Sequence, residues 1–417
     1  MLAAMGSLFA ELARRVADHA RREVEAYVRE IPEFAFLDGD PRARAEALEH
    51  AVWLRRRTLV LSPGNSALGA DDLAHIASMG AARAEAGMSP AARQRVLRLH
   101  TALMLREINE ATEAQRDGGV DELMRMMGWF APQGERGIGA YSQGFATVLC
   151  RRLPYAERVA LLARSLLTHD PLAAELAPAL GMELPDHGAV TVIRVPGLPP
   201  APPGPVLEGL VESLARTHRV PVVWCPDETG GGGGELIAVG PGTAEAVRLH
   251  AVPDPAPALV RDAVQALGRP CAAGTATAPL PELADALALA RRISAAAPPR
   301  PAASGRSGHS LRPGNSGHPG PYTLADVFVE LAVADAPSVD AWLRTVAGLL
   351  TRGPDLLLTL DAYYRHDMNR VAAADALNVH PRTLDYRLRR VRDLTGLHPG
   401  STHGVRVLST VVARALA

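Results

Sequence analysis

The sequence predicts a multidomain chain of α plus α/β class, with an all-helical N-terminal domain, a central α/β domain and a C-terminal helical domain that carries a helix-turn-helix. Three observations predict it. Apolar residues recur at helical spacing through residues 1–182, and short β-branched runs alternate with helix-length segments through residues 183–294. Within residues 322–417, the stretch 369–395 reads as a short helix, a tight turn and an Arg-rich second helix (NRVAAADALNVHPRTLDYRLRRVRDLT). Residues 295–321, rich in Pro, Gly and Ser, are expected to form a flexible linker or loop. A chain of 417 residues with 47% hydrophobic content is long and apolar enough for about three cored domains.

The N-terminal domain opens on an amphipathic helix in which Leu8, Leu12, Val16, Val24, Tyr27, Val28 and Ile31 can face a bundle. Charged residues interrupt its apolar pattern, so it has neither the core of a signal peptide nor the length of a membrane span. Further helices are expected at 41–58, 70–86, 90–115, 120–130, 140–149, 154–167 and 171–180, with Asp40-Pro41 and Ser89-Pro90 as starts. Arg93, Arg98, His100, Arg106, Glu107, Asn109 and Glu110 either line a polar cleft or occupy the surface of long helices, and the second reading is preferred.

In the central domain, strands are expected at 189–195, 220–225, 235–239 and 271–275, and helices at 205–217, 257–267 and 281–292. Gly230 to Gly234 favour a flexible hairpin connection. They lack the Lys-Ser/Thr that follows a phosphate-cradling loop, which argues against nucleotide chemistry. Two more helices, at 322–331 and 338–350, are expected to precede the helix-turn-helix.

No nucleophile, metal-ligand or paired acid/base motif appears, so the reading is non-enzymatic, with no cofactor and no metal. Cys150, Cys225 and Cys271 are scattered, without a CxxC pair, which suits a cytoplasmic protein. Every basic side chain other than His is Arg, a bias that fits a GC-rich bacterial genome such as an actinobacterial one.

The informative chemistry is concentrated between Pro381 and Arg392, where five Arg stand against one Asp although the whole chain carries a formal net charge of -1. Ala372, Ala373, Ala374, Ala376 and Leu377 make a first helix of small residues, Asn378 suits the left-handed turn position, and Val379 plugs the turn. Pro381 suits the first helical position after His380. Leu384, Leu388 and Val391 then form one apolar stripe, leaving Arg382, Tyr386, Arg389, Arg390 and Asp393 largely opposite. Such a helix can enter a DNA major groove. His380, Arg382, Thr383 and Tyr386 would lie closest to bases or the first phosphates, and Arg389, Arg390 and Arg392 would clamp the backbone. Arg387 falls near the packing side, where it can pair with a carboxylate instead. For Asp385 two roles stay open: accepting from a cytosine amino group, or pairing with Arg389 one turn later.

Residues 356–399 resemble the C-terminal helix-turn-helix of the PucR/CdaR family of bacterial transcriptional regulators. The resemblance rests on Asn369, Ala373, Ala374, Leu377, Val379, His380, Thr383, Leu384, Tyr386, Arg387, Leu388, Arg390, Leu394, Thr395 and Gly396. It implies a Fis-type domain in which a preceding helix, about 355–366, braces the two reading helices. The family commonly carries Arg-Asn-Thr-Leu-Arg-Tyr after the His, whereas this chain has Pro381, Arg382, Thr383, Leu384, Asp385 and Tyr386. The central domain resembles the degenerate GGDEF-like domain of the same regulators at Gly274, Leu283, Ala286 and Ala290, and no GGDEF sequence appears. The N-terminal helices are similar to the sensory domains of RsbR-type stress regulators.

The resemblance implies a sequence-specific, signal-responsive transcriptional regulator whose partner is double-stranded DNA. Because one small head covers only a few base pairs, a homo-oligomer of at least two subunits is expected. A small-molecule effector or protein partner is expected at the N-terminal domain, with no membrane partner. The alternative is an adaptor or anti-regulator that binds protein through that domain and uses the basic helix only for its fold.

Overall fold

The computed structural model describes residues 7–113, 120–197, 204–227, 233–299 and 320–416. They fall into two compact units, one of Met1–Pro154 with Asp170–Gly181, the other of Tyr155–His169 with Met182–Ala417. Among the described residues, no helix is long and apolar enough to cross a membrane.

The first unit is all helical. It comprises α1 (Ser7–Arg14), α2 (Val16–Glu30), α3 (Pro41–Leu61), α4 (Ala70–Glu85), α5 (Pro90–Glu113), α6 (Val120–Arg152) and, after an excursion of the chain, α8 (Leu172–Ala179). The single opening helix read from the sequence is two, broken at Arg15 (φ -102°, ψ 5°). The apolar faces of both still turn inward through Leu8, Leu12, Val16, Val24, Tyr27 and Ile31. Asp40 caps α3 by accepting from the Arg42 and Ala43 amides, and Pro41 takes the first position.

The expected helices at 120–130 and 140–149 are one continuous helix, with Pro132 inside it. Proline in a helix interior loses a backbone hydrogen bond. Here tertiary contacts on either side of it hold the helix in place: Trp129 Nε1 donates to Ser66 O at 2.6 Å, and Gln133 Oε1 accepts from the Leu68 amide at 3.0 Å. Further along, α6 meets α4 backbone to backbone. A Cβ at Gly144 would stand 1.8 Å from Ala77 O, and one at Gly80 would stand 2.1 Å from Tyr141 O.

Two ionic clusters cross this core, and they correct the surface reading of α5. Arg93 is fully buried, hydrogen-bonded to Ser142 Oγ at 2.8 Å and ion-paired with Asp170. Arg55, also buried, grips Glu107 with two nitrogens, at 3.0 and 2.6 Å, and pairs with Glu23, which accepts from Tyr27 and meets His100 at 2.8 Å. Burial opposes the charge on Glu23, but His100 and Arg55 outweigh it and hold the carboxyl well below its usual range. Glu107 is lowered too: burial opposes its charge, and hydrogen bonds from His19 and Arg55 overcome it. Arg106, by contrast, pairs with Glu110 on the surface as expected.

The second unit holds a four-stranded antiparallel sheet in the order β2-β3-β1-β4, built from β1 (His187–Val195), β2 (Val222–Pro226), β3 (Gly234–Pro241) and β4 (Ala272–Pro279). With α9 (Gly204–His218) after β1, and α10 (Ala244–Leu249) and α11 (Ala256–Leu267) before β4, this is a split βαβ arrangement. Residues 228–232, most of the expected glycine hairpin, lie outside the described residues. The helix α7 (Tyr155–Leu167), assigned by sequence to the N-terminal domain, packs on α9 and β2 instead. Its buried face, Val159, Leu162, Ala163 and Leu166, is apolar enough to cover a sheet, and helical periodicity does not tell which core receives it. The helix α12 (Leu283–Ala296) lies so close to β4 that a Cβ at Gly274 would meet Ala290 O at 2.6 Å.

The expected linker at 295–321 begins and ends in packed structure, and its interior, 300–319, lies outside the described residues. The Tyr322 amide donates to Ala273 O, and Tyr322 O accepts from the Thr275 amide, each at 2.8 Å, so the returning chain runs alongside β4. Val327 and Leu331 of α13 (Leu324–Ala334) pack on Ile293 of α12. There follow α14 (Pro337–Leu350), α15 (Leu356–Arg365), α16 (Arg370–Ala376), α17 (Pro381–Thr395) and α18 (Thr402–Leu416), whose core joins Leu343, Leu350, Leu360, Ala373, Leu384, Val391, Leu408 and Val411.

Gly144→Ala is expected to destabilise the chain by about 2–3 kcal/mol through overpacking. Gly128→Ala, at an open site on the same helix, is expected to stabilise it by up to about 1 kcal/mol. Thermal unfolding followed by circular dichroism distinguishes the two. Arg55→Met would leave Glu23 and Glu107 buried without the guanidinium they share, at a cost of about 3–5 kcal/mol. Because both carboxyls are lowered in the folded chain, the stability they contribute is complete above the ordinary carboxylate range near pH ~4.3 and is lost as pH falls through the folded values. Glu107→Gln is expected to flatten that acid limb in a pH series of melting curves.

Candidate nucleic-acid interface

Local sequence fixes each boundary of the motif. The Asn369 side chain accepts from the Val371 and Ala372 amides at 3.1 and 3.2 Å and so starts α16. At its end Asn378 takes the left-handed conformation with φ 52°, and the Val379 amide returns to Ala374 O at 3.0 Å. His380 then caps α17, its Nδ1 accepting from the Arg382 amide at 3.2 Å with Pro381 in the first turn, and Gly396 closes the helix at φ 72°. Ala373 and Ala374 are fully buried, which lets the helices approach closely.

The inward stripe is Leu384, Leu388 and Val391. Everything named as a candidate contact lies off it. His380, Arg382, Thr383, Tyr386, Arg389, Arg390 and Arg392 are exposed, and Tyr386 stands out at 60% exposure, unusual for an aromatic side chain without a partner to cover it. Arg387 is the exception among the arginines. It folds back over α15 and binds Asp355 at 3.0 Å and Thr359 Oγ1 at 3.3 Å.

Asp385 is half-buried, and its ion partner is not Arg389, whose pairing was one of the two roles left open for it. The carboxylate meets Arg370 of α16 at 3.3 Å, while Arg389 Nε donates to the backbone carbonyl of Asp385, also at 3.3 Å. The i,i+4 spacing suggested Arg389, but the start of α16 brings Arg370 to the same flank of α17. Sequence reasoning also missed His398, in the turn after α17. With Arg370, Asp385, Arg389 and Arg392 it lines a cleft of about 280 Å³. Its only advance signal was the Leu-His-Pro-Gly turn after the reading helix.

A short helix, a left-handed turn and a second helix with an outward basic face define a helix-turn-helix domain. Two family models match the chain: residues 356–412 match the PucR C-terminal helix-turn-helix domain, and residues 10–152 match the RsbT co-antagonist protein rsbRD N-terminal domain. Among curated proteins, an uncharacterized protein of Mycobacterium tuberculosis is 35% identical over 117 residues, 27% of this chain and 28% of that protein. The carbohydrate diacid regulator of Escherichia coli is 43% identical over 60 residues, 14% of this chain and 16% of that protein. The chain thus matches only 28% and 16% of the length of these two curated relatives. The crystal structure of a regulator of polyketide synthase expression from Bifidobacterium adolescentis aligns over 64% of this chain and 96% of that one, at 18% identity and a TM-score of 0.26. That score is too low to establish a common fold.

Asn378→Ala places a Cβ-bearing residue without a local side-chain hydrogen bond in the left-handed turn and is expected to cost about 1 kcal/mol, whereas Asn378→Gly costs nothing. The measurement is hydrogen exchange of the α16 and α17 amides, expected to be about fivefold faster in the first variant only.

Proposed function

We propose that the protein is a sequence-specific DNA-binding transcriptional regulator that acts as a homodimer or larger homo-oligomer in the cytoplasm, without catalytic activity. The observation that carries this reading is the face of α17: Arg382, Tyr386, Arg389 and Arg390 all point to solvent on a helix whose opposite stripe is locked into the core. His380, Arg382, Thr383 and Tyr386 are the base-proximal group, and Arg389, Arg390 and Arg392 the backbone clamps. With a net charge of -1, the chain offers little long-range attraction, so affinity depends on contacts made by this one helix and its dimer mate. Two heads spaced one helical turn apart supply the affinity and the symmetry that one lacks.

In this reading the helices of the first unit, α1 to α6 and α8, receive the signal, a small-molecule effector or a protein partner. The central domain, residues 183–294, is a degenerate GGDEF-like module that dimerises or transmits; the split βαβ order supports that assignment. The match of residues 10–152 to a domain family of RsbT co-antagonist proteins favours a protein as the partner and keeps the adaptor as the second reading.

Selection of bound sequences from randomised duplex DNA by the full-length protein separates the two readings. Enrichment of a repeated or palindromic motif is expected, and its spacing reports the distance between heads. Arg382→Ala is expected to cost about 1–3 kcal/mol on the preferred site and to relax discrimination there. Arg390→Ala should weaken all duplexes evenly and lower the salt slope by about one. No enrichment, with both variants behaving like the original chain, would put the adaptor first.

A further inference from the structure

We propose that the cleft between α16, α17 and the turn at residues 398–400 is a binding site for a phosphate group, and that Asp385 is its built-in competitor. The proposal deepens the DNA-binding reading and rests on it for one source of the phosphate, a backbone phosphodiester; a free phosphate compound is the other.

The donors are already in place. Three guanidinium groups, Arg370, Arg389 and Arg392, line the cleft against a single carboxylate, Asp385. None of the three is committed to a tight pair. Arg370 meets Asp385 at 3.3 Å, Arg392 reaches Asp393 only at 3.8 Å, and Arg389 spends its Nε on a backbone carbonyl. His398 adds a fourth donor. Its Nδ1 accepts from the Gly400 amide at 3.1 Å, which places the proton of the neutral ring on Nε2.

The wall of the cleft is fixed. Tyr364 Oη donates to Pro399 O at 3.1 Å, and the Ser401 amide and hydroxyl both donate to His398 O, at 3.0 and 2.9 Å. Gly404 presses against the same carbonyl so closely that a Cβ there would lie 1.9 Å from it. Planar guanidinium forks bind phosphate and carboxylate oxygens by the same geometry, so the Asp385 carboxylate occupies the kind of partner that a phosphate would be. At 100° per residue, Asp385 sits beside Arg392 on the flank facing α16, whereas Arg382, Tyr386 and Asp393 stand opposite the buried stripe. That position suits a counter-ion for Arg370 better than a reader of bases.

The test is Asp385→Asn, an isosteric change, in the full-length chain, alongside Arg370→Ala and the double variant. Melting curves confirm that each folds. Binding is read by fluorescence anisotropy on the preferred duplex and on a random one across a salt series. Asp385→Asn is expected to tighten both duplexes about fivefold and to steepen the salt slope, Arg370→Ala to weaken both, and the double variant to lose most of the gain. Weakening on the preferred duplex alone would make Asp385 a base reader and overturn the proposal; no change on either duplex would remove the phosphodiester as the source.

Pyrophosphate, titrated without DNA, separates the sources. A rise in melting temperature that is larger in Asp385→Asn and absent in the double variant assigns the cleft to a free phosphate compound. No rise, with the duplex effects present, assigns it to the phosphodiester. If the chain binds no duplex at all, the DNA reading fails while the pyrophosphate response still supports the cleft; failure of both responses overturns it.

Discussion

Burial of Leu384, Leu388 and Val391 against the helices around them determines where every arginine of α17 can point. The stripe leaves the helix one rotation about its own axis, because turning it by a single residue would expose these side chains and bury a guanidinium. Burying a Leu or Val side chain is worth about 1.5–3 kcal/mol, and burying an unpaired charge costs several times that. The orientation of the basic face is therefore a by-product of core packing. Arg387 shows the boundary of the effect: one turn from the stripe, it is drawn over α15 to Asp355 and leaves the outward set.

A different economy governs the N-terminal helices. There charge is taken into the interior, with Arg55 between Glu23 and Glu107 and Arg93 on Asp170. Such clusters add little net stability over an apolar core, but they tolerate few alternatives in register, since sliding one helix strands a charge. The close contact of α4 and α6 at Gly80 and Gly144 works in the same direction, fixing the two helices by shape where the ion clusters fix α2, α3 and α5 by charge.

How far the sequence could be read depended on how local each cause is. The start of α17 at His380-Pro381, the left-handed Asn378 and the apolar stripe all rest on residues within a few positions of one another, and each stands as expected. The strands of the central sheet were legible from β-branched runs, within a few residues at their ends. What failed depended on partners distant in sequence. Residues 120–130 and 140–149 read as two helices because the clamps from Ser66 and Leu68 on either side of Pro132 were invisible, and α7 was assigned to the wrong side because its apolar face does not name its core. Arg93 and Glu107 looked like surface charges since nothing in α5 announces Asp170 or Arg55. For Asp385, a base contact and a pairing with Arg389 both stayed open, and the ion it meets, Arg370, sits on another helix.

The docking of Tyr322 on β4 changes what the Pro-, Gly- and Ser-rich segment can be. Tyr322 bridges to Gly274, and the last turn of α12 rests on that same glycine, so the chain leaves and re-enters the folded body at neighbouring points. The described residues on either side of the expected linker therefore pack on one folded body. The entropy of closing a chain between two fixed points grows only with the logarithm of its length. Insertions and deletions between those anchor points can therefore accumulate over evolution while the packing of α13 on α12, and with it the seat of the helices that follow, stays as it is.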